Sequence, residues 1–166
     1  MTLDEIFEIR EPAAFQSAFT AWSNDRWKRF GYARLSPGER RVIRVNAFIM
    51  EDNGNGFDGF LYNSAGDWAH EIYEALVVIG AKRTAKLLDQ VIGLFPRGRV
   101  PRDTAKRRKL LLDGQYSEKH DQLLNRLDIA FYERDDGLPA KIWLYIQKNK
   151  NHFETPPGRR SKRQPG

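Results

Sequence analysis

Apolar residues recur at helical spacing along most of the chain, and no stretch sustains the period-two alternation of a half-buried strand. A short first segment opens with Thr2-x-x-Glu5, the pattern of a capping box. From Pro12 to Trp22, Phe15, Ala18, Phe19 and Trp22 fall on one stripe, and Pro12 suits a first helical turn. Ser36-Pro37-Gly38-Glu39 is a stronger start, with a cap, a proline at the first helical position and a glutamate three residues beyond the cap. Val42, Val45, Phe48 and Ile49 continue that helix, which the turn chemistry of Asp52-Asn53-Gly54-Asn55-Gly56 is predicted to stop.

Ser64-Ala65-Gly66-Asp67 is predicted to open the next helix, with Trp68, Ile72, Ala75, Leu76 and Ile79 as its core face and Gly80 as a left-handed stop. Residues 81–94 resume with Ala85, Leu88, Val91 and Ile92, ending before Pro96. Residues 97–102 read as a loop and 103–112 as a very basic helix ended by Gly114. Ser117 is expected to cap a helix carrying Leu123, Leu124, Leu127 and Phe131. After a turn at Asp135-Asp136-Gly137, residues 138–149 form a last helix with Ile142, Tyr145 and Ile146 inward. The prediction is all-α: a single globular domain of about seven or eight helices over residues 1–155, with a short disordered basic tail at 156–166.

Composition agrees with a folded globular chain: of 166 residues, 40% are hydrophobic and 30% charged. With no cysteine, disulfides, thiolate metal sites and cysteine nucleophiles are excluded. The strongest apolar stretch, Ala75 to Ile79, is far too short to cross a bilayer, and Met1 to Glu5 lacks the basic-then-apolar order of a signal peptide. A cytoplasmic location and no membrane partner are therefore expected.

Charge changes the picture more. The net charge is +6, yet the tail holds Arg159, Arg160, Lys162 and Arg163 and no acid, leaving 24 bases against 22 acids elsewhere. Residues 26–44 carry seven bases and one acid. Residues 45–81 carry no Lys or Arg and six acids: Glu51, Asp52, Asp58, Asp67, Glu71 and Glu74. Residues 97–109 carry seven bases against Asp103. Such blocks can form partner-binding patches, or they can interleave in space into an ordinary mixed surface.

Candidate chemistry is sparse. Glu51 to Tyr62 aligns with a calcium loop through Asn53, Asn55 and Gly56, but its twelfth position is Tyr62, where a bidentate Glu is needed. His70-Glu71-x-x-Glu74 lacks the second histidine of a zinc-peptidase motif. His120 and His152 have no ligand-like spacing, and no phosphate loop, dinucleotide glycine pattern or nucleophile elbow is present. No metal, no cofactor and no enzymatic activity are expected.

Asn53, Gly56-Phe57, Phe60 and Asn63-Ser64-x-Gly66-Asp67 resemble the signature of the bacterial "DNA mimic protein nineteen"-like domain family. The resemblance continues through Ala75-Leu76, Ile79-Gly80-Ala81, Leu94-Phe95-Pro96, Leu127-Asp128 and Phe131-Tyr132, with Leu35 to Arg40 upstream, and covers roughly 35–149. Asn55 stands where the family has a second glycine. The resemblance implies a helical fold and a binding role, since the namesake occupies a transcription regulator's DNA site with an acidic surface. It implies neither an enzyme nor a cofactor.

Physically, Phe57, Phe60 and Leu61 suit a helical turn pinned into the core, Asn63 or Ser64 a cap, and Asp67 the positive end of the following helix. The other reading has Asp58, Asn63 or Asp67 touching a partner. The expected function is a non-enzymatic protein-interaction module that binds a regulatory or DNA-binding protein through Glu51, Asp52, Asp58, Asp67, Glu71 and Glu74. The net positive charge argues against full DNA mimicry. The alternative is sequence-nonspecific nucleic-acid binding through Arg97, Arg99, Arg102, Lys106, Arg107 and Lys109, with 26–44 and the tail. Either reading suits a monomer or a homodimer.

Overall fold

The computed structural model describes residues 1–112, 118–133 and 136–153, without the side chains of 52–54, 112, 118 and 119. The basic tail, Gly114, Ser117 and Asp135 lie outside the described residues, as do the side chains of Asp52 and Asn53. Among the described residues there are eight α-helices and no strand: α1 Leu3–Phe7, α2 Pro12–Phe30, α3 Pro37–Tyr62, α4 Ala69–Val78, α5 Lys82–Gly93, α6 Thr104–Leu112, α7 Glu118–Glu133 and α8 Leu138–Lys148. Short 3₁₀ turns occupy Tyr32–Arg34, Ser64–Trp68, Pro96–Gly98 and Lys150–Phe153. The contacts divide the described residues into two compact units, those of 1–40 and 143–153, and those between 41 and 142.

In the first unit, aromatic rings form the core. Phe15 and Phe19 are buried on α2, and Phe153 meets the edge of Phe19 at a centroid distance of 5.1 Å. Thr2 and Glu5 close the α1 capping box, with the Thr2 N–H donating to Glu5 at 2.7 Å and the Glu5 N–H to Thr2 Oγ1 at 3.3 Å. The box at α3 also forms: the Ser36 N–H donates to Glu39 at 2.8 Å and the Glu39 N–H to Ser36 Oγ at 3.2 Å. Glu39 is buried, and its charge is answered by Arg26 Nε at 2.5 Å. α2 runs beyond Trp22 to Phe30 because Arg26 links the added turns, its guanidinium lying 4.9 Å from the Trp22 ring centre and 5.5 Å from that of Phe30. Gly31, with φ 78°, ends it.

In the second unit, Phe48 sits between Phe57, Phe60 and Phe131, at centroid distances of 6.0, 5.2 and 5.8 Å. The expected stop within Asp52–Gly56 is met only at its last residue, Gly56. α3 stays helical through 51–55, kinks at Gly56 and continues to Tyr62. Gly56 has φ 65° and ψ −171°, a conformation open essentially to glycine alone. Burial of Phe48 before the kink and of Phe57, Phe60 and Leu61 after it overrides the turn propensity of the Asn-Gly run. The helical backbone of 51–55 also removes the calcium-loop geometry. α4 and α5 pack as a hairpin joined at Gly80, where φ is 84° and the Ala81 N–H returns to Leu76 O at 2.8 Å, as a left-handed stop requires.

Candidate protein-interaction face

The second half of α3 begins with Phe57, whose N–H would be unpaired after the kink. Asp128 on α7 supplies the acceptor, its Oδ1 taking that N–H at 2.8 Å. Burial, the largest influence, pushes the Asp128 carboxyl up; the Phe57 N–H pulls it down, and the nearby Asp58 charge raises it again. Asp58 itself is exposed. Asp128 thus fixes the kink and stands beside an outward carboxylate. Only its place in the family resemblance marks it in the sequence.

The end of α3 is closed by arginines. Arg107, completely buried on α6, donates through Nε to Leu61 O at 2.5 Å, through Nη1 to Pro101 O at 2.7 Å and through Nη2 to Asn63 O at 2.7 Å. Arg108 Nε takes the intervening carbonyl of Tyr62 at 2.8 Å, its guanidinium 4.3 Å from the Tyr62 ring centre. Asp67 completes the socket, pairing with Arg107 Nη2 at 2.7 Å while accepting from Thr104 Oγ1 at 2.8 Å. Three consecutive helix-terminal carbonyls and one carboxylate are satisfied by two side chains of one neighbouring helix.

These contacts correct several expectations. Arg107 cannot reach a phosphate, because its charge is enclosed. Asn63 does not cap through its side chain, which instead donates to Glu51 Oε2 at 2.8 Å, and no side-chain cap bond comes from Ser64. Residues 64–68 form a 3₁₀ turn before α4, so Asp67 precedes that helix and serves Arg107. Trp68 is half-buried rather than core, with Arg44 Cζ 3.4 Å and Arg102 Cζ 5.3 Å from its ring centre. The sequence held one signal for Arg107: it lies three and four residues before Leu110 and Leu111, on the face α6 turns inward.

The six acidic candidates therefore separate. Glu51 is engaged by Asn63, Asp67 by Arg107 and Glu71 by Arg102. The Asp52 side chain is outside the described set. Asp58 and Glu74 are exposed, and no ion pair involves them among the described residues. Of the basic candidates, Arg97, Arg99, Lys106 and Lys109 are exposed, whereas Arg102 is paired with Glu71. His70 Nε2 accepts the Val100 N–H at 3.2 Å, tying α4 to the chain before α6. Among the described residues, no group of three or more His, Asp or Glu side chains is placed to hold a metal ion.

Six residues of the resemblance now have a place. Gly56 makes the kink, Phe57 and Phe60 are buried beside it, and Asn63 and Asp67 complete the end of α3. Gly66 leaves room for the Arg107 guanidinium beside it. A family model described as DMP19-like protein matches residues 33–149. The chain belongs to the DMP19-like family. No curated protein and no solved structure matches it. In this DMP19-like domain, Gly56, Phe57, Phe60, Asn63, Gly66 and Asp67 shape α3 and its closure by α6. Among the described residues, no helix is long and apolar enough to cross a membrane.

Proposed function

We propose that this DMP19-like domain is a non-enzymatic protein-binding module that offers carboxylates to a basic, DNA-binding partner. The supporting observation is the exposure of Asp58 and Glu74, whereas Glu51, Asp67 and Glu71 are held by internal contacts. Asp128 lies close enough to Asp58 for the two carboxyls to interact, and it is held by the Phe57 N–H. Family membership supplies the direction, because the acidic surface of the family's namesake takes the place of DNA on a regulator. With a net charge of +6, long-range attraction to a basic partner is weak. The contact is therefore short-range, made by a few carboxylates against matched cations rather than by a broad phosphate-like face.

The test is capture of partners by the tagged full-length protein, followed by rebinding of the purified partner against duplex DNA. The reading predicts a basic DNA-binding protein that duplex DNA displaces. Asp58→Asn with Glu74→Gln weakens the complex by roughly tenfold or more, as loss of interfacial charge pairs does. Direct, salt-steep capture of duplex DNA, abolished when Arg97, Arg99, Lys106 and Lys109 become glutamine, would instead restore the nucleic-acid reading.

A further inference from the structure

The second half of α3 turns one carboxylate and one aromatic ring outward together. Asp58 and Tyr62 stand four residues apart on helical backbone, so they share a face, with their Cβ atoms roughly 5–6 Å apart. Helical side chains lean toward the N-terminus, which directs Tyr62 over the turn that carries Asp58. Both residues are exposed, Tyr62 by 43%. No ion pair involves Asp58 among the described residues, and the carboxyl close enough to act on it, that of Asp128, has the same sign.

The ring is fixed from behind. Arg108 donates from Nε to the Tyr62 carbonyl at 2.8 Å and lays its guanidinium 4.3 Å from the ring centre. A ring ordered before binding loses little freedom when a partner packs on it. We propose that Asp58 and Tyr62 form a subsite for one arginine side chain of the partner protein, its guanidinium paired with the carboxylate and stacked on the ring. This subsite rests on the protein-binding reading above and narrows it to a partner that presents arginine.

Chemistry selects that occupant. Phosphate is repelled by Asp58 with Asp128 beside it. The ammonium of lysine can pair with Asp58 but has no plane to lay on Tyr62, whereas a planar guanidinium pairs and stacks at once. Arg108 does not bar a second cation from the ring. Trp68 shows this in the same unit, with Arg44 Cζ 3.4 Å and Arg102 Cζ 5.3 Å from its ring centre. Arginine is also among the side chains with which DNA-binding proteins most commonly read guanine, which ties the subsite to the proposed class of partner.

The test is a titration of the ¹⁵N-labelled full chain with acetylated triarginine amide and, separately, trilysine amide, at matched ionic strength, followed by amide chemical shifts. Both peptides are expected to shift the amides of residues 57–63 saturably. Triarginine should bind with about two- to fivefold higher affinity, the ratio worth one exposed cation–π contact. Tyr62→Ala brings the two affinities together, and so does Tyr62→Leu, which keeps the bulk without the aromatic face. Tyr62→Phe keeps the arginine preference, which a folding defect does not predict. Asp58→Asn weakens both peptides. Equal affinities for the parent protein, or an arginine preference that survives Tyr62→Leu, would overturn the subsite, and weakening of both peptides by Asp58→Asn would then still leave the acidic contact standing. Shifts that ignore Asp58→Asn would overturn the acidic contact itself, so the two fail separately.

Discussion

A Cβ on Gly66 would lie 2.8 Å from Nε of Arg107 and 3.1 Å from its Cζ. The bare backbone at 66 and the enclosed guanidinium at 107 are therefore one feature. Gly66→Ala forces Arg107 or the 3₁₀ turn to move and is expected to cost about 1–3 kcal/mol, the range for overpacking. Arg107→Ala should cost more, about 3–5 kcal/mol, because Asp67 and the carbonyls of Leu61 and Asn63 lose their partner together. Arg107→Lys keeps the charge without the fork and should recover only part of the loss. Urea unfolding measures all three, and an Arg107→Ala protein of native stability would refute the socket.

The kink of α3 couples Gly56 to Asp128, since a Cβ at 56 would lie 2.6 Å from Asp128 Oδ2. Gly56→Ala meets both backbone strain, worth about 1–3 kcal/mol, and this clash. Asp128→Ala removes the clash but also the acceptor of the Phe57 N–H. The double variant is thus expected to be less destabilised than the sum of the singles, with a coupling of at least ~0.5 kcal/mol in a double-mutant cycle. Additive losses would mean that the two residues do not share the kink.

Two carboxylates should act in opposite directions as pH falls. Burial alone would raise Asp136, but the bond to Lys141, the N–H and hydroxyl of Thr84 and the Lys141 charge together lower it. Its contribution is present above the ordinary carboxylate range and lost as pH falls through its lowered value. Asp128 is raised, so its contribution is present below that range and lost as pH rises through its raised value. Asp136→Asn should therefore flatten the acid-side loss of stability. Asp128→Asn keeps an oxygen for the Phe57 N–H without a buried charge beside Asp58. It should be at least as stable as the parent at neutral pH and lose that advantage in acid. Urea midpoints measured from neutral to acid pH check both signs.

Trp68→Ala is expected to cost about 1–3 kcal/mol, below the ~3–5 kcal/mol of a fully buried ring, because Trp68 is half-buried against Arg44. A loss in the fully buried range would return it to the core. Thermal unfolding of the alanine and phenylalanine variants distinguishes the two.

What was legible in the sequence was local. The boxes at Thr2–Glu5 and Ser36–Glu39 and the stop at Gly80 each depend on residues within one or two turns. The closures made from a distance were not legible. Asp128 serves an amide 71 residues away, and Asp136 accepts from the Thr84 N–H 52 residues away. The acid-only segment looked like one patch because sequence order hides what folds onto it: Arg102 and Arg107 reach Glu71 and Asp67 from the basic segment. The two charge blocks partly neutralise each other, and that leaves Asp58 and Glu74 as the exposed acids of this segment without an ion pair among the described side chains.

The most direct measurement of the central claim is hydrogen–deuterium exchange of the full chain, free and in complex with the basic DNA-binding protein that it is proposed to capture. The account predicts slowed exchange in the complex over the second half of α3 and over α4, the elements that carry Asp58 and Glu74. It predicts reduced protection there for Asp58→Asn with Glu74→Gln at the same concentrations, as the weakened complex requires. Protection confined to residues 96–112, with α3 and α4 unchanged, would contradict it.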